Sequence, residues 1–204
     1  MNTSAQVKLS PQLLLAEGRT RRCFRHPDAE DCCIKILNPG QNPVLAWREA
    51  RYYAGLQRRG VDFSHLTRCR GPVETSLGEG VMFDLVRDDD SRISKSLAYY
   101  LAQNESRVDA WVVNEIERLQ QNLYDQWIVF HDLNPRNILV QRVSYDEYRL
   151  VLIDGVGHNQ FIPLASYSPA YARRRLVQLW NRCYHQWYAA FPGVERALKP
   201  YPAC

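Results

Sequence analysis

In the N-terminal part of the chain, short apolar runs alternate with turn formers, the pattern of small β-strands. Leu13-Leu14-Leu15 opens one strand, Gly18 breaks it, and Arg22-Cys23-Phe24 resumes the extended pattern. His26-Pro27-Asp28 reads as a turn and Cys32 to Leu37 as a short apolar strand, so three antiparallel strands are expected. From Pro43 to Gln57 the period becomes helical, with Pro43 near the start and Gly60 just past the end. Val73 to Thr75 and Val81 to Val86 read as a further hairpin around Gly78-Glu79-Gly80. Five strands and one helix then make a small first lobe, residues 1–86.

Arg87-Asp88-Asp89-Asp90-Ser91 is polar, breaks the pattern and suits a hinge between two lobes. Beyond it, Val108, Val112, Ile116, Leu119 and Leu123 recur at helical spacing and predict a long buried helix. Ser168-Pro169 supplies an N-cap and a first-turn proline for another helix running towards Tyr188. Its apolar stripe is Leu176, Leu179, Trp180, Cys183 and Trp187, and Pro192-Gly193 stops it. A second, mainly helical lobe over residues 87–204 follows. The pattern as a whole is α+β.

Composition narrows the classes of function. The chain has 204 residues, 46% of them apolar and 24% charged, which is ordinary for a folded protein with its own core. Its net charge of +4 is mild, whereas a nucleic-acid binder usually concentrates more positive charge on one face. The basic clusters Arg19-Arg21-Arg22 and Arg173-Arg174-Arg175 read equally as solvated surfaces. Six cysteines show no C-x-x-C spacing, and the adjacent Cys32 and Cys33 point to opposite faces of a strand, which suits reduced thiols. No apolar run approaches membrane-spanning length, and Met1 to Gln12 lacks a signal-peptide pattern. A cytoplasmic protein without a membrane partner is expected.

The chemistry concentrates in His131-Asp132-Leu133-Asn134-Pro135-Arg136-Asn137, followed by Ile138-Leu139-Val140 and then Leu152-Ile153-Asp154-Gly155. An acid, an amide five residues on, an apolar strand and a second acid at a strand end are the parts of a phosphoryl-transfer site. Such a site needs a carboxylate at the accepting hydroxyl and hard oxygen ligands for Mg²⁺ on the triphosphate. Asp132 suits the first role; Asn137 and Asp154 suit the second. A plain turn-rich loop is the alternative, because Asp, Asn and Pro are ordinary turn residues. Lys35, inside the apolar run from Cys32 to Leu37, must snorkel or meet an anion. Glu49, on the helical stripe of Leu45, Tyr52, Tyr53 and Leu56, is its candidate partner; a surface ion pair is the alternative. No histidine pair at metal-binding spacing is present, and His158 near Asp154 is either a turn residue or a phosphate contact.

The Asp132 to Val140 run resembles the catalytic loop of the protein-kinase-like superfamily. More widely, Gly18-Arg19-Thr20-Arg21-Arg22-Cys23-Phe24, Cys33-Ile34-Lys35-Ile36, Arg48-Glu49-Ala50-Arg51-Tyr52-Tyr53, Gly71-Pro72-Val73-Glu74-Thr75 and Phe161-Ile162-Pro163-Leu164-Ala165 resemble the bacterial YrbL-type PhoP-regulatory-network family. The resemblance implies a cytoplasmic, kinase-like protein of the low-magnesium response, with a small antiparallel β lobe carrying one helix and a reduced helical lobe. It implies ATP and Mg²⁺ as cofactors. Lys35 would hold phosphates, oriented by Glu49, while Gly18 and main-chain groups of Asp84 to Val86 would meet the nucleotide. Asp132 would position an acceptor hydroxyl on a small molecule or a protein, and Asn137 and Asp154 would ligate the metal.

The sequence also departs from kinases. Only Gly18 remains of the usual glycine-rich loop, Ala16 and Arg21 standing in the other places, so phosphate contact through Arg19, Arg21 or Arg22 side chains is the alternative. Phe130 stands where the motif histidine belongs, and Asp154-Gly155-Val156-Gly157 lacks the usual phenylalanine. Asn134 replaces the lysine that usually stands two residues beyond the catalytic aspartate in Ser/Thr kinases, and little chain is left for a peptide-docking platform. These departures keep a non-catalytic nucleotide-sensing or partner-binding module open beside the enzyme.

Overall fold

The computed structural model describes residues 6–103, 109–157, 165, 167–191 and 194. Among the described residues it is an α+β structure with antiparallel sheets and four α-helices. The chain divides into two compact units: 1–60 with 67–86, and 61–66 with 87–204. The segment Val61–Leu66 therefore leaves the first unit for the second, where Leu66 bridges to Leu152 and the Leu152 amide donates to the His65 carbonyl. A boundary read from sequence alone does not find such an excursion, because the segment carries no periodicity of its own.

The first unit is a five-stranded antiparallel sheet with one helix. Its strands are β1 (Leu14–Glu17), β2 (Arg21–Arg25), β3 (Cys32–Leu37), β4 (Cys69–Thr75) and β5 (Gly78–Asp84), in the order β1-β2-β3-β5-β4; the helix is α1 (Val44–Arg58). β3 is central and covered on both sides, which is why it reads as a continuous apolar run rather than an alternating one. One face packs Phe24, Ile34 and Ile36 against Leu9, Val7, Leu13, Val73 and Met82. The opposite face carries Cys33, Lys35, Val81 and Phe83, and α1 covers it through Tyr53, whose ring meets Phe83 edge-on at 5.4 Å.

The hairpin from β4 to β5 differs from the expectation. Thr75 pairs with Gly78, so the turn is Ser76-Leu77 rather than Gly78-Glu79-Gly80. Gly78 closes it at φ 106, a conformation that glycine adopts without strain. Gly80 lies within the strand, where Ile34 and Ile36 crowd its α-carbon too closely for a side chain. The strand ends at Asp84, not Val86.

The second unit joins a three-stranded antiparallel sheet to three helices: β6 (Lys95–Ser96), α2 (Leu97–Gln103), α3 (Ala110–Asp125), β7 (Ile138–Arg142), β8 (Tyr148–Leu152) and α4 (Pro169–Ala190). Val112, Ile116, Leu119 and Leu123 are buried along α3, as their spacing demands. Val108, the first residue of that stripe, lies outside the described residues. α4 begins at Ser168, whose hydroxyl accepts from the Tyr171 amide, and buries Leu176, Leu179, Trp180, Cys183 and Trp187. It ends at Ala190; Pro192-Gly193 lie outside the described residues. β6 and α2 escape the pattern reading, the first through its length and the second because only Leu97 and Leu101 are buried in it.

Arg87 to Ile93, which includes the polar stretch expected as a hinge, forms a tight turn. Arg87 bridges to Ile93, Ser91 takes a positive φ of 67, and Arg142 pairs with both Asp89 and Asp90 at 2.7 and 2.6 Å. Among the described residues, no helix is long and apolar enough to cross a membrane.

Candidate functional site

Strand alternation puts Arg21, Cys23, Cys33 and Lys35 on the α1-covered face of the first unit's sheet. Lys35 is 8% exposed and its ammonium lies 4.5 Å from the centre of the Phe83 ring, a cation–π contact. Glu49, on α1, is 6% exposed. Sequence reasoning pairs it with Lys35, but its ion pair is with the Arg21 guanidinium. The register explains the difference. Arg21 stands two residues from Cys23, the cross-strand partner of Lys35, and so projects towards the same helix. The second carboxylate oxygen of Glu49 is buried without a hydrogen-bond partner. Arg21, Lys35 and Glu49 therefore share this face.

The glycine turn is closed on itself. The Gly18 amide donates to the Arg21 carbonyl at 2.8 Å, and the Asn38 side-chain amide donates to the Gly18 and Arg19 carbonyls at 2.9 and 3.1 Å. The segment expected to meet adenine is likewise partly committed. The Asp84 amide donates to the Arg68 carbonyl, the Leu85 amide donates to the Asp31 carbonyl, and the Asp84 carbonyl accepts from the Thr67 hydroxyl. Asp84 also holds Arg70 through its carboxylate.

In the second unit, the Asp132 loop is held from several directions. Asn134 caps a short 3₁₀ turn over Pro135–Asn137, its side-chain oxygen accepting from the Arg136 amide at 3.0 Å. Pro135 is buried, the Trp187 indole donates to the Leu133 carbonyl at 2.8 Å, and Phe130 lies edge-on to Trp180 at 5.5 Å. Phe130 thus fills a core position.

The structure brings Asp132, Asn137 and the Asp154 turn together. The Asn137 side-chain amide donates to the Asp132 carboxylate at 3.3 Å, and the Asn137 carbonyl accepts from the Ile153 amide at 2.8 Å. The Gly155 amide donates to the Asp154 carboxylate at 2.8 Å, which orients it. The Gly155 carbonyl in turn accepts from the His131 and Asp132 amides at 2.8 and 3.4 Å. Gly155 has φ 77, and a β-carbon there would stand 2.0 Å from the Asp132 carbonyl oxygen, so only glycine lets the two loops meet this closely. Asp132 is exposed, and Asn137 and Asp154 are half-buried.

With its NH₂ group turned to Asp132, Asn137 presents its side-chain carbonyl oxygen elsewhere, and Asp154 presents a carboxylate. That is a hard-oxygen donor set, which fits Mg²⁺ rather than a soft metal. Among the described residues, no three or more His, Cys, Asp and Glu side chains cluster as a metal site. His158 and Phe161 to Leu164 lie outside the described residues.

Arg21 and Gly155 are the site residues that sequence reasoning misses in these roles. The alternation along β2 puts the first on the correct face but does not choose it over Lys35. For the second, the glycine directly after the acid was visible, but its contact with Asp132 was not.

The chain matches the family model described as PhoP regulatory network protein YrbL over residues 7–187. It is 35% identical over 198 residues to the protein YrbL of Escherichia coli (strain K12), covering 95% of this chain and 91% of that one. YrbL of Shigella flexneri matches to the same extent. The chain belongs to the YrbL family.

Proposed function

From that membership and from the loop geometry of the second unit, we propose that the protein binds ATP with Mg²⁺ and transfers a phosphoryl group to a hydroxyl acceptor. The fold would be a two-lobe, kinase-like one, working in the cytoplasm within the PhoP, low-magnesium regulatory context. The observation that carries the reading is the linkage of Asp132, Asn137 and the Asp154-Gly155 turn by direct hydrogen bonds.

Each residue has a stated task. Lys35 and Arg21 would meet phosphate by side chain, since the Gly18 amide is committed within its own turn. Val86 suits adenine better than Asp84, whose main-chain groups are already bonded. Asn137 and Asp154 would hold Mg²⁺, which when bound neutralises the charge developing on the phosphates. Asp132 would accept the proton of the acceptor hydroxyl at its carboxylate, and the Asn137 amide that donates to it keeps that carboxylate oriented. The acceptor is a small molecule or a protein; neither nucleic acid nor a membrane is part of the reading.

A second reading is a non-catalytic module that senses nucleotide or holds a regulatory partner. The pairing of Glu49 with Arg21 favours it, since in an active kinase the helix glutamate pairs with the lysine. A thermal shift with ATP, with and without Mg²⁺, is the first test, because a ligand that binds the native state raises its stability. The reading expects a shift that is larger with Mg²⁺, is reduced in Lys35→Ala, and loses its metal-dependent part in Asp154→Asn. A shift indifferent to Mg²⁺ favours the module, and no shift at all removes nucleotide binding.

A further inference from the structure

The outer side of α1 carries a pattern that neither the first unit's core nor the candidate site accounts for. At about 100° per residue, Val44, Trp47, Arg48, Arg51, Gly55 and Arg58 fall in one arc about 100° wide. Glu49, Tyr53 and Leu56 occupy the opposite side and are buried. Val44 and Trp47 are adjacent on the surface, one turn apart, and are 47% and 46% exposed. Arg48, Arg51 and Arg58 are all exposed.

No carboxylate balances these arginines. The one acid in α1, Glu49, lies on the buried side and holds Arg21. Among the described residues, none of Arg48, Arg51 and Arg58 makes an ion pair. Gly55 is a separate observation. A glycine inside a helix is less favourable than alanine, because folding must order a freer backbone. Here a β-carbon would meet only the Arg58 Nη2 atom, at 4.0 Å, which is the tip of a flexible side chain. Packing within the chain therefore does not require glycine, and its place between Arg51 and Arg58 leaves bare backbone that another chain can approach closely.

We propose that this side of α1 docks an acidic, amphipathic segment of a partner protein. Carboxylates of the segment pair with Arg48, Arg51 and Arg58, an apolar side chain sits against Val44 and Trp47, and its backbone passes over Gly55. Tryptophan and arginine are the residue types that carry most of the energy at protein interfaces. Other polyanions fit less well. A membrane-surface helix buries a whole apolar side, and that side of α1 already covers the sheet. For a duplex, three arginines spread over about 21 Å of helix neutralise few phosphates. None of the six residues has a role in the proposed nucleotide site, so the surface stands or falls apart from it.

The test titrates the full chain into a fluorescein-labelled helical peptide of alanine, leucine and glutamate, about as long as α1, with its leucines and glutamates on one side. Anisotropy reads binding, and circular dichroism checks the fold of each variant. Saturable binding that weakens with salt is expected, with none to the glutamine counterpart of the peptide. Trp47→Ala should weaken it about tenfold, and Arg51→Glu by about 2–5-fold or more. Arg174→Glu, the same charge change at an exposed position of α4, should leave it unaltered. Gly55→Ala should melt above wild type, since nothing in the chain opposes the added carbon. The triple variant Arg48→Glu, Arg51→Glu, Arg58→Glu should bind the lysine counterpart of the peptide instead. Absence of binding to the acidic peptide, equal losses in Arg51→Glu and Arg174→Glu, or unaltered affinity in Trp47→Ala each overturns the proposal. So does tighter binding to a DNA duplex or to phosphatidylglycerol vesicles than to the peptide.

Discussion

Gly155→Ala is the sharpest probe of the Asp132 loop, because backbone conformation and close approach together set its cost. At φ 77 an L-residue is strained by about 1–2 kcal/mol relative to glycine. The added β-carbon would stand 2.0 Å from the Asp132 carbonyl oxygen and 2.9 Å from its carbonyl carbon, so the loops must part by about 1 Å before the contact is tolerable. That separation breaks the hydrogen bonds from the His131 and Asp132 amides to the Gly155 carbonyl, worth about 0.5–1.5 kcal/mol each. The sum is about 3 kcal/mol. For a chain of this size each kcal/mol lowers the melting temperature by about 2–4 °C, so a fall of about 6–12 °C is expected. Gly60→Ala supplies the control. Gly60 also has a positive φ, of 65, but its β-carbon would meet nothing within 4 Å, so it bears strain alone and should cost about 2–8 °C. Thermal denaturation followed by circular dichroism reads both. A Gly155→Ala protein that melts no lower than Gly60→Ala would falsify the claim that close approach, rather than backbone conformation, fixes the glycine.

Gly80→Ala tests the crowding inside the first unit: its β-carbon would stand 2.8 Å from Ile34 Cγ2 and 3.1 Å from the Lys35 carbonyl, so overpacking should cost about 1–3 kcal/mol, and an unchanged melting temperature refutes this. Asp132→Ala should keep the ATP-induced thermal shift yet lose about 10²–10⁴-fold in ATPase or autophosphorylation rate; equal turnover in wild type and variant would leave only the non-catalytic module. Burial pushes the Cys183 thiol up to about 11, so at pH 8 roughly one molecule in a thousand carries the thiolate, and iodoacetamide should label it only on unfolding. Hydrogen bonds from Arg92 and Arg142 hold the Asp90 carboxyl well below the usual carboxylate range. A depressed folded-state value means stability that is present at neutral pH and lost on acidification. Asp90→Asn should therefore melt below wild type at pH 7, and the gap should close as the pH falls below about 4; a constant gap from pH 7 to 2 rules the ion cluster out as its cause.

The elements that sequence reasoning places correctly are those with a strong period and an explicit end. α4 has an apolar stripe from Leu176 to Trp187 and a serine-proline start, and each of those signals has its physical counterpart in a buried face and a capped amide. β3 is legible as an apolar run because both of its faces are covered. The failures have a common cause in contacts distant along the chain. Gly80 looks like a turn glycine until the neighbouring strand is known to bring Ile34 and Ile36 against it. The segment 61–66 looks like part of the first unit until His65 and Leu66 are seen to pair with β8.

The candidate site divides in the same way. The residues of the Asp132 loop are near one another in sequence, so Asp132, Asn137 and Asp154 could be singled out before any fold was known, and hydrogen bonds do link them. Glu49 is different, because its partner is decided by which long cation reaches α1 from the sheet. Both Arg21 and Lys35 stand on the correct face, and nothing in their spacing chooses between them. Arg21 takes the carboxylate, while Lys35 lays its ammonium on Phe83. An anionic ligand on that face would meet two cations already held in place, one by an acid and one by an aromatic ring.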